Sequence, residues 1–469
     1  MSDITVFRAR KIVTMDPNCP EATHVAVQNG HILSVGGADC GDQWGDVTHD
    51  DSLADTVLLP GFVEGHAHMM AGAIWQYAYA GFHDRVDPDG NLASGFTDLN
   101  AVIQGLSDYA KGLPKDQPLV AWGFDPIFLP DERMNKSHLD QISTDRPVAI
   151  LFSNFHLMCV NSKALELAGY DQGTNVEGVI KGPDDRPNGE LQEMAAMFPL
   201  IRRLGIDFSN LSLRPDAIQH YAKVAKQCGV TTVTDLFSEL TDEALETLLR
   251  TTGDDRYPVR LVPAMTAIGG TPTDVAKQAL AYKAKSTDKL RLGAVKIMTD
   301  GSIQGWTARV KWPGYVGGQP NGLWNIAPDQ IKALCREMHK SGVQMHIHVN
   351  GDEASEVVID ALAEAMREHS WPTHRHVLQH GQMMGVDQFR RCAELGLCVN
   401  LFVNHIWYFG DQHAALTIGE DRARRMDACQ SALDAGVTLA IHSDAPVTPM
   451  GPLFTAWCAV NKPIGFSDD

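Results

Sequence analysis

Short β-rich runs recur along the chain with helical patterns between them, and this recurrence restricts the fold more than any other feature. The first is Val57-Leu58-Leu59-Pro60-Gly61-Phe62-Val63, which runs straight into Glu64-Gly65-His66-Ala67-His68. The others are Val230–Thr234, Val259–Met265, Leu292–Met298, Val343–His348, His376–His380, Leu397–Phe402 and Val437–His442. Amphipathic stretches such as Asp329–Ser341 and Glu353–Glu368 lie between them. Alternating β and α units predict a parallel sheet. Eight units are what a closed barrel requires, so the expected fold class is α/β, a (β/α)8 TIM barrel.

Two segments stand outside the repeat. Ile4–Thr14 and His24–Gln28 alternate loosely, and Asn29-Gly30 before His31–Val35 is a strong hairpin signal. Residues 1–56 are therefore expected to form a small N-terminal β unit and 57–469 the barrel. The interval between the first and second barrel runs is too long for one helix and two loops. Residues from about 72 to 225 are expected to be an insertion, with strand-like Leu119–Trp122 and Pro147–Phe152 and a Gly/Pro/Asp-rich Lys181–Gly189.

Charge narrows the partners. With 39 basic and 58 acidic residues the formal net charge is −19, the wrong sign for nucleic acid or an anionic membrane surface. No apolar run reaches the roughly 18 residues of a membrane span, and the opening MSDITVFRARKIVTMD carries charges within its apolar stretch, unlike a signal peptide. Nine cysteines, scattered and without a Cys-x-x-Cys pair, point to a reducing, cytoplasmic setting. No phosphate-binding glycine loop and no Gly-x-Ser-x-Gly elbow occurs.

The chemistry concentrates at strand ends. His66 and His68 lie two apart, so on a strand both imidazoles face one side and can bind one metal ion. Lys296, His348, His380 and Asp444 end or follow later runs, and His346 precedes His348 by two. In a barrel all of these meet at the C-terminal mouth, where active sites sit. A lysine there needs a reason, because an ammonium cannot bind a cation. Burial beside metal ions lowers its pKa, and a neutral amine can take up CO₂ to become a bridging carbamate. The alternative is a buried lysine paired with a carboxylate such as Asp300.

These stretches resemble the amidohydrolase superfamily, and within it the YtcJ-like branch (amidohydrolase family 3), which includes N-substituted formamide deformylases. The resemblance covers essentially the whole chain. It is carried by LLPGFVEGHAHMM, RPVAILFSNFHLMCVNSKALELAG, RPNGELQE, GAVKIMTDGSIQGWTA, VQMHIHVNGDEA, VLQHGQ and GVTLAIHSDAPVTPMGPL. It implies two divalent metal ions, zinc in the first instance. His66 and His68 would hold the more buried ion, His348 and His380 the second, and a carboxylated Lys296 would bridge them. Asp444 would touch metal and act as general base and acid. His348 matches the family position by its spacing to Gly351-Asp352, and His346 does not.

The chain departs from the family in three places. Gln379 stands where a Glu is usual, which alters a hydrogen bond behind the ligands. Glu64 stands where Asp is common. Family members usually continue past the eighth strand through a final helix and strands that complete an N-terminal β-sandwich; with the sequence ending at Asp469, inside or just after a loop, that C-terminal part is expected to be missing.

Other residues read less sharply. Asp352 reads as a helix N-cap, and Asp300 as a turn residue or a substrate contact beside Gly301, which suits a tight turn. His156 reads as a structural residue on sequence alone, and the resemblance implies that it reaches the pocket. Trp122, His405, Trp407 and Tyr408 are candidates for an apolar substrate cleft, and His442 reads as packing behind the ligands. The activity this implies is metal-dependent hydrolysis of a C–N bond (amide, N-formyl or N-acyl) in a small-molecule substrate, by a homodimer. The alternatives are deamination of a heterocycle, which Lys296 disfavours, and a non-catalytic metal-stabilised binding protein.

Overall fold

The computed structural model describes residues 4–129, 133–206 and 211–461. They form two compact units, Met1–Phe62 and Val63–Asp469.

The N-terminal unit is a five-stranded sheet. Ile4–Val13 pairs antiparallel with Glu21–Gln28, which pairs antiparallel with His31–Gly36. Asn29 and Gly30 make the expected hairpin turn, with φ of 50° and 76°, the conformation a two-residue type I′ turn demands. Thr48–Asp50 and Val57–Leu58 add in parallel to Ile4–Val13. Val57–Leu58 therefore does not open the barrel, as its apolar run suggested. Pro60 lacks the N–H that a continuous strand needs, and the barrel strand begins only at Phe62.

From Phe62 onward eight parallel strands follow one another in sequence order: β1 (Phe62–Glu64), β2 (Val230–Ser238), β3 (Arg260–Thr266), β4 (Ala294–Met298), β5 (Met345–Val349), β6 (Val377–His380), β7 (Cys398–Leu401) and β8 (Thr438–Ile441). A parallel bridge between Ala67 and Ala445 joins the two ends of the sheet just past β1 and β8. This is the α/β fold with a curled eight-stranded sheet of the TIM-barrel type. Register aligns Lys296 with His346 in one row and His348, Gln379 and Asn400 in the row two residues further on, so polar residues of neighbouring strands lie side by side.

Residues between β1 and β2 build a six-stranded sheet of their own. Leu119–Phe124 and Val148–Phe152 lie near its middle, close to the expected bounds. Both faces are covered. Val120, Trp122, Ala149 and Leu151 pack against Met197 and Leu200 of helix α2 (Glu193–Arg203). Leu119, Ala121, Ile150 and Phe152 pack against Val102, Ile103 and Leu106 of helix α1 (Leu99–Lys111). Period-two alternation with both faces apolar produces the near-continuous hydrophobic runs seen in the sequence.

Helix α3 (Asp352–Glu368) follows β5. Its N-cap is Gly351; Asp352, expected in that role, is the first helical residue, and its Oδ1 accepts from Lys311 N at 2.8 Å. Only a glycine fits at 351, since a Cβ there would lie 1.7 Å from Arg309 O. Past β8, where a loop was expected, Pro452–Asn461 form a helix. No described helix is long and apolar enough to cross a membrane.

Leu200, fully buried on α2, should be costly to truncate. Leu200→Ala is expected to destabilise the chain by about 2–5 kcal/mol, read as a lowered midpoint in urea.

Candidate metal centre

The six side chains expected at the mouth meet there. Asp444, just past β8, is the hub. Its Oδ1 lies 3.1 Å from His68 Nε2 and 3.3 Å from His66 Nε2, and its Oδ2 lies 3.7 Å from His380 Nδ1. Lys296 Nζ on β4 lies 3.4 Å from His66 Nε2. The His380 ring centroid is 4.5 Å from that of His66 and 4.4 Å from that of His348. One ligand atom from each of His66, His68 and Asp444 falls within 4.8 Å of the others, and a second such group is His66, His380 and His442.

Hydrogen bonds behind the ligands choose which nitrogen faces inward. Gln379 Oε1 accepts from His66 Nδ1 at 2.8 Å, which leaves Nε2 for a metal. Asn400 Nδ2 donates to the same Oε1, and Gln379 Nε2 donates to His346 Nδ1. Thus the neutral amide at 379 orients His66 and also occupies His346, which stays outside the ligand cluster. Gly301 O accepts from His348 Nε2 at 3.0 Å and from Asn350 Nδ2 at 2.8 Å, so His348 Nδ1 is the free nitrogen. His380 Nδ1 is buried without a hydrogen-bond partner. Free, inward-facing imidazole nitrogens beside a carboxylate are the donor set a divalent transition ion takes.

Backbone geometry is strained where the ligands need it. Gln379 and His380 are adjacent, so strand alternation would send them to opposite faces. A φ of 71° at His380 turns its ring back toward His66. Asp444 and Glu193 also have positive φ, 53° and 61°. Such conformations persist only where surrounding contacts enforce them.

Burial sets the charges. It pushes Lys296 down to about 7, against the pull of Asp444. It also drives His66, His348 and His380 well below the usual imidazole range, with Lys296 adding to the effect. These rings are neutral and ready to ligate. Burial would raise Asp444, but the His68 hydrogen bond and the electrostatic pull of His68, with lesser contributions from the His442 and Lys296 sites, outweigh it and hold the carboxyl at about 2. Lys296 has no carboxylate partner of the kind Asp300 was considered for. Asp300 instead accepts backbone N–H bonds from Asn350, Gly351 and Arg309.

A family model described as amidohydrolase family matches residues 52–465. The chain belongs to the amidohydrolase family. Among curated proteins it is 26% identical over 471 residues to Protein LONG AFTER FAR-RED 3 of Arabidopsis thaliana, covering 96% of this chain and 76% of that one. It is 26% identical to YtcJ of Bacillus subtilis, over 88% of this chain and 75% of that one. It is 24% identical to the N-substituted formamide deformylase of Arthrobacter pascens, over 98% and 84%. Among solved structures, an uncharacterized metal-dependent hydrolase from Pyrococcus horikoshii superposes with a TM-score of 0.70 at 18% identity, covering 98% of this chain and 86% of that one. That likeness shows the shared fold.

In this amidohydrolase-family chain a cavity of about 140 Å³ lies over the cluster. It is lined by the ligands and by His156, Glu193, Asn154 and His405. It shares His68, Met70, Phe155, Met197, Phe198 and Phe237 with an adjoining cavity of about 520 Å³. His156 thus reaches the site, held by Glu193 Oε2 at 2.8 Å from its Nδ1. Burial opposes its charged form, but Glu193 more than offsets this and raises its pKa. Trp122 and Asp300, considered as substrate contacts, do not line this cavity. Trp122 is 1% exposed, packed edge-on to Trp75 and Tyr79. Gly301 is required by close approach and not by a turn conformation: a Cβ there would lie 2.2 Å from Glu193 Oε1.

Sequence reasoning missed Glu193 and Asp235. Glu193 closes the RPNGELQE stretch, so the segment was noticed but its role was not. Asp235 Oδ1 accepts from Met69 N at 3.0 Å and lies 4.0 Å from His68 Nδ1. A lone aspartate inside a long β run carried no spacing signal.

Two outcomes are expected here. Gln379→Ala frees the back of His66 and should weaken metal binding about 10–100-fold, measured by competition with a chromogenic chelator. Asp300→Asn replaces an acceptor by a donor facing backbone N–H groups. It should cost about 1–3 kcal/mol per donor left unpaired, read by thermal unfolding of metal-free protein.

Proposed function

We propose that this chain is a metal-dependent hydrolase that cleaves a C–N bond of the amide type, with N-formyl and N-acyl amines as the first class to test. The observation that carries this is the convergence of the imidazoles of His66, His68, His348 and His380 on a low-pKa carboxylate and a buried lysine at the barrel mouth. His66 and His68 would hold one ion, His348 and His380 the other, with Asp444 as a further ligand. Lys296 has enough neutral amine near pH 7 to add to CO₂, forming an N–C bond and releasing one proton; the carbamate would bridge the two ions. When bound, divalent ions such as zinc acidify a water and polarise the substrate carbonyl.

Asp444 takes the proton of the attacking water on one carboxylate oxygen and returns it to the leaving nitrogen. With a carboxyl at about 2 it is ionised and ready to accept. His156 is held by Glu193 through Nδ1, so Nε2 is the nitrogen left to donate to a substrate oxygen. The apolar part of the lining, Met70, Phe155, Met197, Phe198 and Phe237, suits an apolar substituent on the substrate and keeps water from competing along that side. The relative named as an N-substituted formamide deformylase supports the same bond class.

The test is turnover of an N-formyl and N-acyl arylamine panel by metal-loaded protein, with a heterocyclic amine set beside it. Release of arylamine that stops on chelation and returns with zinc is expected. Ammonia from the heterocycles alone would favour deamination, and no turnover by fully loaded protein would oppose an enzymatic role. Asp444→Asn keeps size and a coordinating oxygen but cannot take the proton. It is expected to retain at least one ion and to lose about 10²–10⁴-fold in rate, measured as kcat at saturating metal. Lys296→Ala should lose activity and regain part of it with added short carboxylic acids.

A further inference from the structure

One buried histidine cluster away from the mouth has its nitrogens satisfied. At the opposite end of the sheet, His376 Nδ1 accepts from Met345 N and its Nε2 pairs with His339 Nδ1. His339 Nε2 then meets His369 O. His374 bonds His376 N and Leu395 O. His442 breaks the pattern. It is 1% exposed, and neither Nδ1 nor Nε2 has a hydrogen-bond partner. Among the described residues it is the one histidine with both nitrogens buried and unpartnered. An imidazole desolvated on both nitrogens needs a partner to offset that penalty.

Its surroundings indicate which partner. The His442 ring stacks on His66 with centroids 4.6 Å apart and planes at 15°, and lies 5.1 Å from the His380 ring. Phe402 also stacks on it, at 5.0 Å. One nitrogen from each of His66, His380 and His442 falls within 4.8 Å of the others. This group is wholly buried, whereas the His66, His68 and Asp444 group is partly open.

We propose that His442 is a further ligand of the ion that His66 and His68 would hold, its ligand atom lying within 4.8 Å of those of His66 and His380. The proposal rests on the reading of the mouth as a metal centre. It makes the deeper position richer in nitrogen than the His66 and His68 pair alone provides. Three neutral nitrogens favour ions that prefer imidazole, such as zinc, cobalt, nickel or copper, over manganese or magnesium, which prefer oxygen.

The test uses the full-length chain, stripped with chelator and reloaded. His442→Phe keeps a flat ring against His66 and Phe402 and removes both nitrogens. Loss of an outer hydrogen-bond partner typically costs 10–100-fold in affinity, so loss of a ligand should lower zinc affinity at one position by more than about 100-fold. Manganese affinity should change far less. The zinc X-ray absorption spectrum should show fewer imidazoles per zinc in the variant, and this count decides. An unchanged count overturns the proposal whatever the affinity does. Should the phenylalanine variant fold poorly, His442→Gln is read by the same count. A wild-type chain that takes up no zinc would overturn the hydrolase reading as well, whereas zinc-loaded wild type with an unchanged variant count overturns this inference alone.

Discussion

The seam between β1 and β8 is the constraint on which the mouth depends. β1 is three residues long, too short to hold its neighbours by ladder bonds alone. Backbone and side-chain bonds beyond its end do the work. Asp444 N donates to His66 O, and His68 N donates to Ala445 O. On the other flank Leu236 N donates to Ala67 O and Ala67 N to Thr234 Oγ1. Glu64 closes the base of the seam by accepting from Ser443 Oγ at 2.8 Å. These contacts fix His66 and His68 against Asp444, so the same bonds that close the sheet also set the geometry of the candidate site.

Burial sorts the carboxylates at this end of the barrel by task. Glu64 and Asp300 are both pushed up to about 7 by burial, with hydrogen bonds from neighbouring N–H and hydroxyl groups pulling the other way. Both are spent on holding backbone and hydroxyl donors. Asp444, surrounded by His68, His442 and Lys296, is pulled down to about 2 despite its burial. Environments that push like groups apart are how one site assigns separate roles to identical chemistry. Here the separation divides Glu64 and Asp300 from Asp444, which faces the cavity.

Much of this was legible in the sequence, for identifiable reasons. The barrel strands showed because buried parallel strands are continuous apolar runs, and the candidate ligands showed because they stand at the ends of those runs. Val57–Leu58 misled because an apolar dipeptide before Pro60 looks the same whether it pairs with the N-terminal sheet or opens the barrel. Asp352 misled because Gly351, with no room for a Cβ, took the capping position. Trp122 looked like a cleft residue, but an apolar ring signals burial without saying where. Glu193 and Asp235 act through single long-range contacts, which leave no periodic trace. His442 looked like packing because nothing in one sequence tells a stacked ring from a ring with two empty nitrogens.

The short first strand also bears on how the chain matures. His68 and Asp444 are 376 residues apart in sequence, and they meet only when β8 is laid beside β1. The sheet of the insertion, built from nearby segments, can form well before that. Contacts of such separation are entropically late. During synthesis, then, the histidine pair after β1 emerges long before Asp444, and the candidate centre is assembled only once β8 has left the ribosome. Any ion held there would thus be captured only after β8 has joined β1.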